Sequence, residues 1–282
     1  MCRTILVIPC YNEEARLDTG GLRPLLGEPD LELLFVNDGS TDSTGDRLDA
    51  LAEEWPARVS VLHLLANGGK AEAVRHGLLT ALASGAEVVG YYDADLATPP
   101  SEMLRLLALI ERGPWTVAMA SRVRMLGAEI KEAPTRYFFA RLFASFAARC
   151  SSLPVHDTQC GAKAFRRTTQ LEDALAVPFR CRWTFDVELL VRLLTNTSYS
   201  PADFVEMPLL RWQSVPGSKL RARHWPLLVR ELVRLWGVRR RSLPDMPSVP
   251  DERAVLYAHR PHISPVPSSR SCDISRLPAS RL

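Results

Sequence analysis

Short apolar runs closed by turn-forming residues recur along the first 120 positions: Ile5–Ile8, Leu33–Val36, Val59–Leu64, Val88–Tyr92 and Thr116–Ala120. Between them the apolar positions space out with helical period, predicting helices over 13–26, 42–55, 70–84 and 100–112. Residues 31–55 show the repeating unit. Leu33–Val36 runs into Asn37, Asp38, Gly39, Ser40, Thr41 and Asp42, and Ser40 to Ser43 offer N-cap side chains before the amphipathic set Leu48, Leu51, Ala52 and Trp55. Pro99-Pro100-Ser101-Glu102 opens the last of these helices. Continuous apolar strands alternating with helices predict an α/β fold with a Rossmann-like, mostly parallel sheet flanked by helices.

From about Glu132 the pattern becomes helix-dominated. Arg136–Arg149, Gln170–Ala176 and Phe185–Leu194 read as helices and Val205–Trp212 as a late strand. We read 1–238 as one continuous domain. Its last helix, Leu227–Arg241, is amphipathic and leaves two readings open. Leu227, Leu228, Leu232, Leu235 and Trp236 bury against the domain, or the helix lies on an anionic membrane surface with Arg230, Arg234 and Arg239–Arg241 near the headgroups. Residues 239–282 form a basic tail rich in Pro and Ser, without apolar periodicity, and are expected to be disordered.

Composition narrows the function classes. The 282 residues are 46% apolar and 24% charged, which fits a globular protein with a sizeable core. A net charge of +3, from 35 basic against 32 acidic residues, argues against a nucleic-acid binder. Six cysteines without a CxxC pair point to reduced thiols in the cytoplasm and no zinc site. The first apolar strand starts at Ile5, leaving no room for a cleavable leader. The apolar stretch Tyr137–Ala148 is too short to span a bilayer, so membrane contact is expected to be peripheral, on the cytosolic face.

In an open α/β sheet, ligands collect at the carboxyl ends of the strands. Those ends carry Pro9-Cys10-Tyr11-Asn12-Glu13-Glu14, Asn37-Asp38-Gly39-Ser40, Asn67-Gly68-Gly69-Lys70 and Asp93-Ala94-Asp95. Each group alone is also what a turn or a helix cap requires. Together they offer Asp38 and Glu13 as acceptors for a base or ribose, and Tyr11 as a stacking face. Gly68, Gly69 and Lys70 suit phosphates, and the paired carboxylates Asp93 and Asp95 suit Mg²⁺ or Mn²⁺ shared with a diphosphate.

These segments, read as "VIPCYNEE", "VNDGSTDST", "NGGKAEAVRHG", "YYDADLATPP", "SRV", "DTQCGAKAF", "RWTFDVELL" and "GSKL", resemble the family 2 glycosyltransferases, most closely their dolichyl-phosphate β-glucosyltransferase branch. The resemblance runs collinearly from about residue 3 to 235. It implies a GT-A fold, a nucleotide-sugar donor, a divalent ion and inverting transfer, with a donor half over about 1–121 and an acceptor half over 122–238. It implies that Pro9, Tyr11, Glu13 and Asp38 hold the nucleoside, that Gly69, Lys70, Asp93, Ala94 and Asp95 address ribose, diphosphate and metal, and that Arg122 and Arg136 grip an acceptor phosphate. Ala71 departs from the pattern, standing where relatives often have a glycine.

Lys163, Arg182 and Lys219 are further candidates for the acceptor phosphate. A phosphate acceptor is mostly dianionic at neutral pH and needs no strong base; a hydroxyl acceptor needs one, with Asp157 and Asp186 as candidates beside the catalytic Asp95. Asp157 is equally placed to cap a turn, and Asp186 to cap a helix. The expected function is transfer of a hexose, glucose from UDP-glucose, to polyprenyl or dolichyl phosphate. A saccharide or soluble hydroxyl acceptor is the first alternative, and a non-catalytic nucleotide-sugar-binding protein the second.

Overall fold

The computed structural model describes residues 2–131, 153–195, 199–215, 227–228, 230–231, 233–235 and 257–258. Among the described residues the strands in chain order are β1 (Thr4–Cys10), β2 (Leu31–Asp38), β3 (Val59–Leu64), β4 (Val88–Tyr92), β5 (Val117–Ser121), β6 (Glu129–Lys131), β7 (Ala162–Arg166), β8 (Phe204–Pro208), β9 (Arg211–Gln213) and β10 (Tyr257–Ala258). The helices are α1 (Arg23–Leu26), α2 (Thr44–Glu54), α3 (Lys70–Ala83), α4 (Pro100–Arg112), α5 (Thr169–Ala176) and α6 (Phe185–Thr195). One sheet runs β10-β3-β2-β1-β4-β7-β5-β8, and β6 pairs with β9 in a second, two-stranded sheet.

Strands β3, β2, β1 and β4 are parallel, as the α/β alternation predicts. β1 lies between β2 and β4, so the winding direction reverses beside it and opens a crevice at its carboxyl end. β7 had no sequence-based expectation. It inserts antiparallel between β4 and β5, with Lys163 opposite both Tyr91 and Met119. Parallel pairing resumes between β5 and β8.

Strand side chains alternate between two cores. Leu6, Ile8 and Phe35 pack with Leu48, Leu51, Met103, Leu106 and Ile110 from α2 and α4. Ile5, Val7, Leu34 and Val36 pack with Val74, Leu78, Leu171 and Leu189 from α3, α5 and α6. Burial on both faces is why the strands read as unbroken apolar runs. α3 sits so close that a Cβ on Gly77 would lie 2.3 Å from Val7 and 2.8 Å from Val36.

Some elements differ from expectation. The helix expected over 13–26 shrinks to the four residues of α1, because Asp18 Oδ1 accepts from the Gly21 amide at 2.9 Å and the Gly20-Gly21 pair turns the chain. The expected strand 205–212 divides at Leu209–Leu210 into β8 and β9, and the Leu209 amide bonds the Ser121 carbonyl. The helix expected over 136–149 lies outside the described residues. From the last amphipathic helix, 227–228, 230–231 and 233–235 are described and helical. Leu228 and Leu235 bury against Val187 and Val191 of α6, while Leu227, Arg230, Val233 and Arg234 face outward. Within the expected tail, the described pair Tyr257–Ala258 forms β10 on the edge of β3; the remainder lies outside the described residues.

The Gly77 contact gives a direct test of the helix–sheet packing. Gly77→Ala adds one methyl against two branched side chains on central strands, so it should lower the unfolding free energy by about 1–3 kcal/mol despite the better helix propensity of alanine. Urea denaturation of wild type and variant reads the difference; an unchanged or raised midpoint would contradict the close packing.

Candidate active site

The first two strand-end loops are stitched together by the polar run that follows β2. The Asn12 amide donates to Ser40 Oγ at 3.0 Å, the Thr41 amide to Asn12 Oδ1 at 2.9 Å, and the Glu13 amide to Thr44 Oγ1 at 2.8 Å. Asn12 itself takes a positive φ of 48°. The capping role expected of the 40–43 run falls to Asp42, whose Oδ1 accepts from the Thr44 amide at 3.0 Å, while Ser43 makes no side-chain cap bond and Ser40 and Thr41 bond the neighbouring loop. Glu13 is buried in a bidentate pair with Arg16, both contacts at 2.8 Å. Pro9 sits inside β1 opposite Val36, and Tyr11 is half-buried just beyond the strand.

Asp38, at the end of β2, is 2% exposed. Its Oδ1 accepts from the Gly68 amide at 2.8 Å, and its Oδ2 from the Gly69 amide at 2.9 Å and Asn67 Nδ2 at 3.0 Å. The two glycine amides expected to meet phosphates thus hold a carboxylate of the protein instead, and Asp38 fixes the loop that opens α3. Gly69 has a second use. Its φ is +89°, and a Cβ there would come within 2.9 Å of Arg182 Nε. The glycine lets the guanidinium lie against the loop, where Arg182 Nη2 also donates to Asn67 Oδ1 at 3.1 Å. Arg182 therefore stands on the phosphate-loop side of the crevice.

Lys70 follows directly, its Nζ 2.5 Å from Asp93 Oδ1. Desolvation works against its charge, but Asp93, Asp186 and Asp95 together raise its pKa above the ordinary lysine value. Asp93 is pressed against the backbone of the antiparallel strand's approach: its amide donates to the Gly161 carbonyl at 2.9 Å, and a Cβ on Gly161 would lie 2.0 Å from Asp93 Oδ2. Burial and the nearby Asp93 raise the Asp95 pKa, while Oδ1 of Asp95 accepts from the Ala97 amide at 3.1 Å. The side chain of Ala94 turns into the core, so only its backbone can meet a ligand. Asp93 and Asp95 are hard oxygen donors whose mutual repulsion a divalent cation would relieve. Among the described residues no group of three or more His, Cys, Asp or Glu could hold a metal ion. Two carboxylates suit Mg²⁺ or Mn²⁺ when a diphosphate and water complete the shell.

The residues expected to serve the acceptor are more often committed to each other. Arg122 Nε and Nη2 meet Asp157 Oδ2 and Oδ1 at 2.6 and 2.8 Å, the Arg122 amide adds a third bond, and Trp212 lies under the guanidinium at 5.3 Å. Burial alone would raise the Asp157 pKa, but Arg122 overrides it and holds the carboxyl down to about 2. Such a group is a poor general base at neutral pH. Glu206 of β8 sets the loop by accepting from the His156 and Asp157 amides at 2.9 and 2.7 Å. Beside this pair, Ser121 Oγ, Thr158 Oγ1 and Gln159 Nε2 are buried without a hydrogen-bond partner among the described residues.

Lys163 is 1% exposed and donates to Asp186 Oδ1 at 2.7 Å and to the Cys160 carbonyl at 2.8 Å. Tyr91 donates its hydroxyl to the same oxygen of Asp186, and burial next to that carboxylate raises the Tyr91 pKa well above its ordinary value. These contacts remove Lys163 from the phosphate-binding set and bury Asp186 in a pair: a lysine inside the sheet cannot reach an acceptor, and its charge is spent on Asp186. Arg136 and Lys219 lie outside the described residues.

Sequence reasoning also missed the residues that support the site. Glu231 accepts from the Arg182, Trp183 and Thr184 amides and from Thr184 Oγ1, capping α6 from a segment 47 positions away. Glu188 accepts from the Arg180 and Cys181 amides. An acid far along the chain carries no local signal of the helix it caps. The Gly161 before β7 does carry one, since a glycine at a strand start marks a close backbone approach.

The two ion pairs generate distinct expectations. Lys163→Met leaves Asp186 buried and uncompensated, so it should cost about 3–5 kcal/mol of stability in urea; wild-type stability with weakened acceptor binding would return Lys163 to ligand contact. For Asp157 the folded pKa lies below the unfolded one near 3.8. The stabilisation is therefore present above about pH 4, is lost as pH falls toward 2, and amounts to on the order of 2 kcal/mol. Acid titration of Asp157→Asn should lack that portion of the pH dependence, and identical acid profiles would rule the pairing out.

Comparison with known proteins bears on the family and the fold. Residues 5–169 match the model of the family described as glycosyl transferase family 2. A dolichyl-phosphate β-glucosyltransferase of Drosophila melanogaster is 34% identical over 257 residues, 82% of this chain and 73% of that protein. A polyprenol monophosphomannose synthase of Mycolicibacterium smegmatis is 31% identical over 195 residues, 69% of this chain and 73% of its own. Among solved structures, glucosyl-3-phosphoglycerate synthase from Mycobacterium tuberculosis, in complex with Mn²⁺, UDP and phosphoglyceric acid, superposes with a TM-score of 0.61 at 19% identity, covering 94% of this chain and 88% of that one. That likeness establishes the GT-A fold, and with the family match over more than half its length the chain belongs to glycosyl transferase family 2.

Proposed function

We propose that the protein transfers a hexose, glucose from UDP-glucose, to a polyprenyl or dolichyl phosphate, with inversion at the anomeric carbon. The observation that carries the acceptor class is the state of the two candidate bases. Asp157 is held ionised by Arg122, and Asp186 is buried with Lys163 and Tyr91 both bonded to its Oδ1. A hydroxyl nucleophile would find neither able to take its proton. A phosphate nucleophile needs no such group, because its second pKa near about 6 leaves it dianionic at neutral pH. The relatives that carry dolichyl-phosphate and polyprenol names support the same acceptor.

On the donor side, the Asp38-fixed loop sets the start of α3, Lys70 and the Arg182 guanidinium supply positive charge there, and Asp93 and Asp95 face it across the crevice. A diphosphate seated at this point meets the positive helix end as well as both cations. Mg²⁺ or Mn²⁺ bound by Asp93 and Asp95 would neutralise the departing nucleoside diphosphate. Gly161 keeps Asp93 in place. Tyr11, Glu13 and Pro9 line the nucleoside end of the same crevice through the loop that Ser40 and Thr44 stitch down. Ser121, Thr158 and Gln159 offer unpaired polar atoms beside Arg122, where an incoming sugar or phosphate oxygen would satisfy them.

Mass analysis of products from a panel of nucleotide sugars, offered with polyprenyl phosphate, the matching polyprenol or a soluble saccharide, tests donor and acceptor together. Glucosylated polyprenyl phosphate from UDP-glucose is expected, with a rate that rises through about pH 6 as the acceptor loses its second proton. Preference for the polyprenol or a saccharide would transfer the enzyme to the hydroxyl-acceptor reading. Asp95→Ala, or chelation of divalent ions, should lower turnover on the order of a thousandfold, equivalent to several kcal/mol of lost charge stabilisation. Full activity under either condition would remove the metal from the mechanism.

A further inference from the structure

Six large hydrophobic side chains are exposed among the described residues: Leu65, Met125, Leu126, Leu210, Leu227 and Val233. Their placement is not random. Leu65 follows the carboxyl end of β3, Met125 and Leu126 follow that of β5, and Leu210 follows that of β8. Leu227 and Val233 flank Glu231, which holds the Arg182–Thr184 loop, and Arg182 in turn reaches Asn67 beyond β3. All six therefore sit on the edge of the molecule that carries Asp38, Asp93 and Asp95. The opposite edge and the outer faces of α1 to α6 expose none among the described residues.

The most prominent point is a turn. The Ala128 amide donates to the Met125 carbonyl at 3.1 Å, and Gly127 supplies the positive φ of 83° that such a turn requires. Leu126 is thereby held at the tip, as exposed as in an extended chain, with Met125 beside it. The turn is anchored by β6 on β9, through which it is joined to Leu210: the Glu129 amide donates to the Leu210 carbonyl at 2.7 Å. Around it, among the described residues, the exposed cations Arg124, Lys131 and Arg211 outnumber the carboxylate of Glu129, which stands opposite Arg211. Arg230 and Arg234 accompany Leu227 and Val233 in the same way. Apolar tips ringed by basic residues match a layered partner with an oily interior and an anionic surface.

We infer that this edge docks on an anionic lipid bilayer, with Met125 and Leu126 entering the acyl boundary and Arg124, Lys131 and Arg211 meeting the headgroups. The inference rests on the lipid-phosphate acceptor reading of the site, and it specifies how a chain in which no described helix can cross a membrane would reach such an acceptor. The catalytic crevice then opens toward the headgroup layer, where the phosphate of a polyprenyl lipid lies.

The test uses the full chain and vesicles of phosphatidylcholine with phosphatidylglycerol, without acceptor. Replacing both tip residues, Met125→Ser with Leu126→Ser, should weaken co-sedimentation at least about tenfold, since two large side chains lose their burial. Turnover on a short, water-soluble isoprenyl phosphate should be unchanged, which also shows that the variant is folded. In a second variant, Leu126→Trp, an indole emission difference spectrum against wild type should shift to the blue on vesicles. Wild-type vesicle binding by the double variant, or an unshifted tryptophan, would overturn the docking surface. If the wild type binds vesicles through the tip yet glycosylates neither the short nor the long polyprenyl phosphate, the docking surface stands and the acceptor reading falls.

Discussion

A single buried ammonium group joins the parts of this molecule that the site needs. Lys163 enters the sheet on β7, where it is enclosed between β4 and β5, and its charge is balanced by Asp186 from α6 while Tyr91 of β4 shares the same carboxylate oxygen. Removing any one of the three leaves a polar group in a dry interior, a large penalty. The network thus fixes β7 in register, and with β7 comes Gly161, against which Asp93 is packed. Asp93 holds Lys70, and Lys70 begins α3. A chain of contacts runs from a core ion pair to the lysine at the start of α3.

The same arrangement explains why several charged residues carry less chemistry than their motifs imply. Asp38, Glu13, Asp157 and Asp186 are each occupied by a protein partner, and each partner shapes a loop. Positive charge is concentrated in Lys70 and Arg182, beside the start of α3. Of the acids near the crevice, Asp93 and Asp95 are the pair placed to share a ligand. Most carboxylates of the site are spent on geometry, and in the proposed function two, Asp93 and Asp95, are left to share a ligand.

The parallel core was legible in the sequence because burial on both faces writes uninterrupted apolar runs, and because each strand end is marked by Gly, Asp or Asn. Placement of Asp38, Lys70, Asp93 and Asp95 at one sheet edge followed from that pattern alone. What was not legible depends on distance along the chain. β7 is a five-residue strand containing a lysine, and nothing local says that the lysine will meet Asp186, 23 positions later. Arg122 and Asp157, 35 apart, read as separate functional candidates until the fold joins them. Gly20 and Gly21 did signal their turn, and a helical apolar spacing across 13–26 obscured it.

The antiparallel insertion of β7 has a bearing on how the chain is made. β5 does not touch β4; they are joined only through β7. A nascent chain that has emerged as far as Ser121 therefore carries strands β1 to β4 with the inner edge of β4 bare, and β5 has no partner within that stretch. Open strand edges of this kind invite pairing with other chains. β4 and β5 are bridged only when residues 162–166 arrive, so the ribosome must deliver sequence beyond 161 before the first five strands share one sheet. The two sides are thus one cooperative unit of synthesis, and cutting the gene between them would leave neither piece with a finished sheet.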